Sequence, residues 1–419
     1  MNLQKTSKRP YYGWFIVIAS FFICVLAYGG SHSFGVFFKF LRDDFGWTAA
    51  ATSGAFSLFM ILRSVLAVPS GWATDKFGPR TIVIVGALLL GLGFSLTSQI
   101  SVLWQLYATY GFMMGIGMSV FYSPLLATTS RWFVKQRGLA LGIVTAGIGA
   151  GTLIMAPVAN YLILTHGWRA SYLIMGPAIG IIIIVGALFL KGDHTGLGIA
   201  PGREMAPGMV AKGRGSSEAE NNIGAKSTGL SPREAFSTKV FWLLCLTNLM
   251  IGFGLQMVLV HIVPYVQEGP KLSPTVAAAV LSIVGGASIA GRLVLGPVSD
   301  RIGRRRALAI SAFLEGIAIL GFTSSSVSWI LYIFAVVYGF GYGGHVPQLA
   351  ALVGEIFGLR YVGISLGMTT LSWGIGGALG VFLAGYTFDI SGNYNYAFIL
   401  GATAMFLATA LTPLLKSGG

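Results

Sequence analysis

Long apolar runs broken by short polar loops fill this chain almost from end to end. Twelve stretches stand out, near residues 12–40, 49–72, 81–99, 103–130, 138–163, 170–190, 240–265, 274–297, 306–324, 328–354, 361–385 and 394–415. A helix that crosses a bilayer needs about 20 mostly apolar residues. The pattern therefore predicts an all-α integral membrane protein with 12 transmembrane helices. The one long polar stretch, 191–238, is rich in Gly, Ser and charge, as in Gly213-Arg214-Gly215-Ser216-Ser217-Glu218. It reads as a flexible cytoplasmic linker. The expected organisation is an N-terminal six-helix bundle (1–190), the linker (191–238) and a C-terminal six-helix bundle (239–419). No cleavable leader is expected, because the first apolar run is too long and lacks a small-residue cleavage site.

Composition agrees with the pattern. Of 419 residues, 55% are apolar and 10% charged, and the mean hydropathy is +0.77. Soluble domains carry about 25% charged residues. The formal charge of +14 raises the question of nucleic acid. With the N-terminus inside, 21 of the 27 Lys and Arg fall in predicted cytoplasmic segments. Four lie in outer loops (Lys39, Arg42, Arg169, Lys271) and two within helices (Arg63, Arg292). That bias is the positive-inside rule. The basic excess orients the chain, with both termini cytoplasmic, and calls for no nucleic-acid partner. Compact loops favour a prokaryotic inner membrane. Cys24 and Cys245 fall inside helices, which excludes a disulfide framework. Paired carboxylates, an H-E-x-x-H helix and a Ser–His pair are all missing, so neither an enzyme nor a metal or cofactor site is expected.

The two halves repeat each other. Gly71-Trp72-Ala73-Thr74-Asp75-Lys76-Phe77-Gly78-Pro79-Arg80 returns as Gly296-Pro297-Val298-Ser299-Asp300-Arg301-Ile302-Gly303-Arg304-Arg305, 225 residues later. Leu141-Gly142, Gly149 and Gly151 match Leu366-Gly367, Gly374 and Gly376 at the same separation. One offset at two distant places implies two parallel bundles with a substrate site between them near the midplane. The G-x-x-x-D-[RK]-x-G-x-R segment resembles the signature loop of major-facilitator transporters. Gly71 and Gly296 are expected to permit close helix contact, and Gly78 and Gly303 a tight turn. Asp75 and Asp300 are expected to cap the following helix and pair with loop arginines. The run Gly147-Ile148-Gly149-Ala150-Gly151 lies in an apolar helix with no strand before it, so it reads as helix packing and not as a dinucleotide fingerprint.

Ionisable residues within helices carry the functional signal, because charge in lipid is costly. Arg292 lies eight residues before Asp300, about 12 Å from the helix end at ~1.5 Å per residue, too deep to snorkel. Its planar fork suits a carboxylate. Arg63 lies deeper still, and its reading stays open between an interhelix pair and the transport pathway. His32, among Gly29, Gly30, Ser31 and Ser33, is read as a proton carrier on a cavity wall, with helix packing as the plainer alternative. His345, beside Gly343 and Gly344, and Tyr122, close to Pro124, are further candidates. Glu315 is the one acidic residue well inside a helix, read as a structural pairing group ahead of a proton relay.

Three segments resemble the monocarboxylate transporter family. Trp132-Phe133-Val134-Lys135-Gln136-Arg137-Gly138-Leu139-Ala140-Leu141-Gly142, followed by Thr145-Ala146-Gly147, is similar to that family's helix-5 signature. Gly13-Trp14 and Val36-Phe37-Phe38-Lys39 resemble parts of its first helix, and Arg292 falls where the family carries its substrate-binding arginine. The oxalate–formate exchangers carry an arginine there too. The departures are informative. His32 stands where many animal members carry lysine, and Ser288 where they carry aspartate. A rough alignment places Thr369 at the exchangers' helix-11 lysine.

The resemblance implies proton-linked symport of a small monocarboxylate, such as lactate or pyruvate, by alternating access. Arg292 would hold the carboxylate, with Tyr122, Ser288 and His345 lining the site and His32 carrying the proton. Asp75, Arg80, Asp300 and Arg305 would form the gating loops. The runner-up is organic-anion exchange of the oxalate–formate type. A membrane sensor without transport is the alternative from another class, although 191–238 is too short and polar for a signalling domain.

Overall fold

Among the described residues, eleven helices are long and apolar enough to span a membrane, and the longest supplies a twelfth span. That helix, Arg137–Ala187, has 51 residues. At ~1.5 Å per residue it would reach about 75 Å, against a hydrocarbon core of about 30 Å. Gly167, with φ 79° and ψ 162°, breaks it into α5 (137–166) and α6 (168–187). This computed structural model describes residues 12–133, 136–192, 232–324, 326–357 and 362–415. The predicted linker lies mostly outside the described residues, as does Lys135 of the segment preceding α5.

The other spans are α1 (Tyr12–Phe45), bent at Ser33, α2 (Ala49–Phe77), α3 (Pro79–Thr97) and α4 (Leu103–Trp132). After the linker come α7 (Lys239–Glu268), α8 (Pro274–Ile302), α9 (Arg304–Thr323), α10 (Ser328–Phe357), α11 (Val362–Ser391) and α12 (Asn395–Leu411). Local sequence sets several starts. Thr48, Thr238 and Ser273 each accept from the backbone N–H three residues on, and Pro274 follows the last of them. The matched turns at Gly78 (φ 82°) and Gly303 (φ 91°) need the freedom of glycine.

Glycine seams join the two halves. On α5, Gly147 and Gly151 face the α1 backbone, while Gly149 faces Gly285 and Ser288 of α8. A methyl group on Gly149 would sit 2.7 Å from the Gly285 carbonyl oxygen, and one on Gly285 2.7 Å from that of Gly149. The related seam sets Gly374 of α11 against Ser64 of α2. In lipid, where apolar burial gives helices no net attraction, such close approach is what holds them together. Two expectations from the repeated motif need correction. A side chain at Gly71 or Gly296 would meet nothing within 4 Å, so these glycines make no close helix contact. Asp75 and Asp300 lie in the last turns of α2 and α8, and no side chain caps α3 or α9.

One end of the bundle is sealed across the halves. Arg42 of α1 pairs with Glu268 of α7 at 2.9 Å, both 17% exposed, and its guanidinium lies 4.6 Å over Phe388 of α11. Asp389 of α11 accepts from the N–H groups of Ala49 and Ala50 at 2.7 and 2.8 Å, a helix N-terminus capped from the other half. His261 joins Ser53 (3.3 Å) to the Val381 carbonyl (3.0 Å). At the Asp75/Asp300 end, the ion pairs among the described residues stay within one half: Arg131–Asp75, Arg304–Asp300 and Arg304–Glu355. Among the described residues, the ion pairs and caps that cross the halves gather at the Arg42/Glu268 end.

The seal should therefore respond to charge at Arg42 and Glu268. Arg42→Glu or Glu268→Arg alone should raise labelling of a cysteine placed at Ala50 about tenfold, as loss of ~1–2 kcal/mol from a half-buried pair implies. The double swap should restore low labelling. Equal labelling in all three variants would show that the pair does not hold this end shut.

Candidate substrate site

Arg292 reaches the interior from α8 and is 6% exposed. Its Nη1 donates to the Ser288 hydroxyl at 2.9 Å and to the Ser288 carbonyl at 3.4 Å, one turn earlier. Its guanidinium stacks 5.1 Å from the Tyr342 ring of α10. Nε and Nη2 have no hydrogen-bond partner among the described residues. These two nitrogens form one edge of the guanidinium, the geometry that binds both oxygens of a carboxylate. No described carboxylate forms an ion pair with it. A buried charge left this way costs several kcal/mol and so attracts a counter-ion.

Arg63 is placed differently. Its Nη2 donates to the Tyr28 hydroxyl at 3.1 Å, and the guanidinium lies 4.8 Å from the Tyr28 ring and 5.4 Å from the Trp373 ring of α11. It clamps α1, α2 and α11 through aromatic rings. His32, 5% exposed at the bend of α1, shares a 2.8 Å hydrogen bond with Thr152 of α5. Its ring meets that of Tyr28 edge-on at 6.1 Å, and its neighbouring charges are Arg63 and Arg292. Tyr122 sits where α4 unwinds, just before the segment Ser123–Trp132, within electrostatic reach of both arginines. A stretch of π-helix, Tyr107–Met114, lies on the same span. Interrupted helices of this kind are common at transporter sites.

The other expected residues separate into two places. His345 of α10 lies with its Nδ1 3.1 Å from Glu315 Oε1 of α9, and its ring is 5.8 Å from that of Tyr342, which also touches Arg292. The gating-loop residues lie at the Asp75/Asp300 end, where Asp75 pairs with Arg131 of α4. Asp300 pairs with Arg304, an arginine of its own loop, at 2.5 Å. Tyr342 and Thr152 were not anticipated. Tyr342 stands three residues before His345, so the helical register of α10 was the signal that could have found it.

Twelve spans packed as two halves, with a buried guanidinium at their junction, define a secondary transporter of the membrane-embedded kind. The Major Facilitator Superfamily profile matches residues 20–293 and 244–417, and the chain belongs to that superfamily. It is similar to monocarboxylate transporter 13 of Rattus norvegicus, 29% identical over 95% of this chain and 87% of the relative. It is also similar to monocarboxylate transporter 12 of Xenopus laevis (27%, covering 99% and 91%). The oxalate:formate antiporter of Oxalobacter formigenes is 27% identical, covering 95% and 90%. Among solved structures, a bacterial homologue of the human lysosomal transporter Spinster, inward-facing and unoccupied, shares the fold. Its TM-score is 0.67 at 14% identity, covering 98% and 96%. The chain is a transporter and not an enzyme.

If Arg63 is a clamp, Arg63→Gln should lower stability by roughly 1–3 kcal/mol, the worth of one charged hydrogen bond and a cation–π contact. Thermal unfolding in detergent measures this. Substrate affinity should fall less than in any Arg292 variant. The reverse ranking would move Arg63 into the anion site.

Proposed function

We propose that this protein is a proton-linked symporter of small monocarboxylates, lactate- or pyruvate-like. It works by alternating access in a prokaryotic plasma membrane with both termini cytoplasmic. In this reading the units 1–190 and 239–419 rock against each other, joined by 191–238, and the Asp75/Asp300 end faces the cytoplasm. The observation that carries the proposal is the unpaired Nε/Nη2 edge of Arg292. Ser288, where animal relatives carry aspartate, hydrogen-bonds Nη1 without neutralising the charge. The arginine is then left for a carboxylate brought from outside. The names of the relatives point to the same class of anion.

One anion-ready edge favours one carboxylate. Arg63 is held between aromatic rings, and Thr369, at the position of the exchangers' lysine, brings no charge. Tyr122 and Tyr342 border the arginine and are suited to close around a small organic body. His32 enters this proposal as a neutral wall of the site, with Thr152. A proton there would put a third positive charge beside Arg63 and Arg292, with no described carboxylate to offset it. The relative named an oxalate:formate antiporter keeps anion exchange as the second reading.

Uptake of labelled lactate and pyruvate into proteoliposomes, with and without an inward proton gradient, tests the proposal. A pH gradient alone should drive accumulation; uptake that needs internal anion and ignores the gradient would favour exchange. Arg292→Lys should lower transport at least 100-fold with insertion intact, because lysine keeps the charge and loses the two-point contact. Wild-type rates in that variant would remove Arg292 from the site. Oxalate should compete for lactate uptake more weakly than pyruvate does.

A further inference from the structure

We infer that Glu315 and His345 form a buried proton site, and that it binds the coupled proton in step with anion binding at Arg292. The inference rests on the symport reading above and assigns its proton. Glu315 of α9 is 0% exposed and His345 of α10 is 3% exposed. They meet at 3.1 Å, Nδ1 to Oε1. Around them the polar network is unfinished. Glu315 Oε2 and Gln348 Nε2 have no partner among the described residues, although Ser311 lies 3.5 Å from the Gln348 carbonyl oxygen. Gly341 brings the α10 backbone against the Glu315 side chain, so the carboxyl is held between the two helices. A purely structural clip would be better served by apolar packing or a completed network.

The dyad is linked to the anion site through one ring. Tyr342 lies 5.1 Å from the Arg292 guanidinium and 5.8 Å from the His345 ring. Gly343 presses the α10 backbone onto that of Ser288 and Arg292, leaving little between the two sites. The charged and titratable groups facing the dyad are few. Tyr338 and Tyr342 come from α10 and Arg292 from α8. Arg304, Arg305 and Arg306 stand in the first turn of α9, and α12 (Asn395–Leu411), packed on α9, carries no Asp, Glu, Lys, Arg or His.

Charge balance then supplies the coupling. With one shared proton the pair is neutral; without it the pair is a single negative charge. In the empty carrier the positive Arg292 favours the deprotonated dyad. When a carboxylate neutralises Arg292, the reason for that negative charge disappears and the dyad takes up a proton from water. On release to the other side, anion and proton leave together. No covalent bond changes, and one proton moves with one anion. At a separation of about 10 Å and an effective dielectric of ~20, the mutual effect is roughly tenfold in affinity.

The test uses the full chain. In weakly buffered detergent solution, lactate binding to wild type should take up about one proton, read by a pH dye. Glu315→Gln, which keeps a hydrogen-bonding side chain of the same shape, should abolish that uptake. In proteoliposomes the same variant should lose gradient-driven lactate accumulation at least tenfold while lactate counterflow stays measurable. His32→Gln should still take up a proton for each lactate bound, whatever its affinity. Where Glu315→Gln shows no counterflow, Glu315→Asp decides: coupling with a shifted pH midpoint, or counterflow without coupling, supports the site, and full coupling with an unshifted midpoint overturns it. Proton uptake persisting in Glu315→Gln overturns the inference, as does its loss in His32→Gln alone. Wild type that ignores a proton gradient fails the symport reading itself, a result distinct from either.

Discussion

A guanidinium with three of its five N–H donors unpaired among the described residues, buried where two helix bundles meet, is the constraint around which this molecule is arranged. Arg292 is permanently charged, and its depth on α8 rules out relief by snorkelling. Protein dipoles supply part of what water would: the Ser288 hydroxyl and carbonyl along one edge, and the Tyr342 ring over one face. The other edge, Nε and Nη2, has no partner among the described residues, and in the proposed function a carboxylate takes it. A carboxylate that binds there removes a large desolvation penalty already present in the empty protein. Its affinity then comes from that relief as much as from the contact itself.

Such a charge is tolerable only if the halves around it can rearrange without losing their packing. The glycine seams provide this. At Gly149–Gly285 and Gly374–Ser64, backbone meets backbone or a small side chain, with Ile289 and Leu153 as the larger neighbours of the first contact. Rocking about such a seam changes few side-chain contacts. Specificity for one state is then left to polar latches at the ends. Arg42–Glu268 and the capping of α2 by Asp389 hold one end, while the pairs at the other end stay within their own halves.

The sequence made the spans, the repeat and Arg292 readable because each depends on local pattern or depth along one helix. Apolar length marks a span, and the 225-residue offset between Asp75 and Asp300 marks the duplication. The pairing partners were not readable in this way, since they depend on the rotation of one helix against another. Asp75 reaches Arg131, 56 residues away, past the nearer Arg80 of its own motif. Glu315 and His345 were singled out separately, yet nothing local says that α9 and α10 turn them toward each other. Gly71 and Gly296 misled for the opposite reason. The small-residue pattern was present, but a side chain at either position would meet nothing within 4 Å. Tyr122 fell between these cases: Pro124 signalled a break, while its direction into the site came from the unwound turn of α4.

In the proposed symport, electrical neutrality would tie these elements into one cycle. Moving a lone anion against a negative-inside potential costs about 2.3 kcal/mol per 100 mV. Returning an empty carrier with an unmatched arginine would meet a similar field acting on the opposite charge. A group that is negative when the site is empty and neutral when it is full lightens both legs at once. Beside the arginine, one turn earlier on the same helix, stands the neutral Ser288. The Glu315–His345 pair meets the Tyr342 ring that also touches Arg292. Distance weakens the coupling but also keeps the acid out of the substrate's way, leaving the whole Nε/Nη2 edge of Arg292 to the anion.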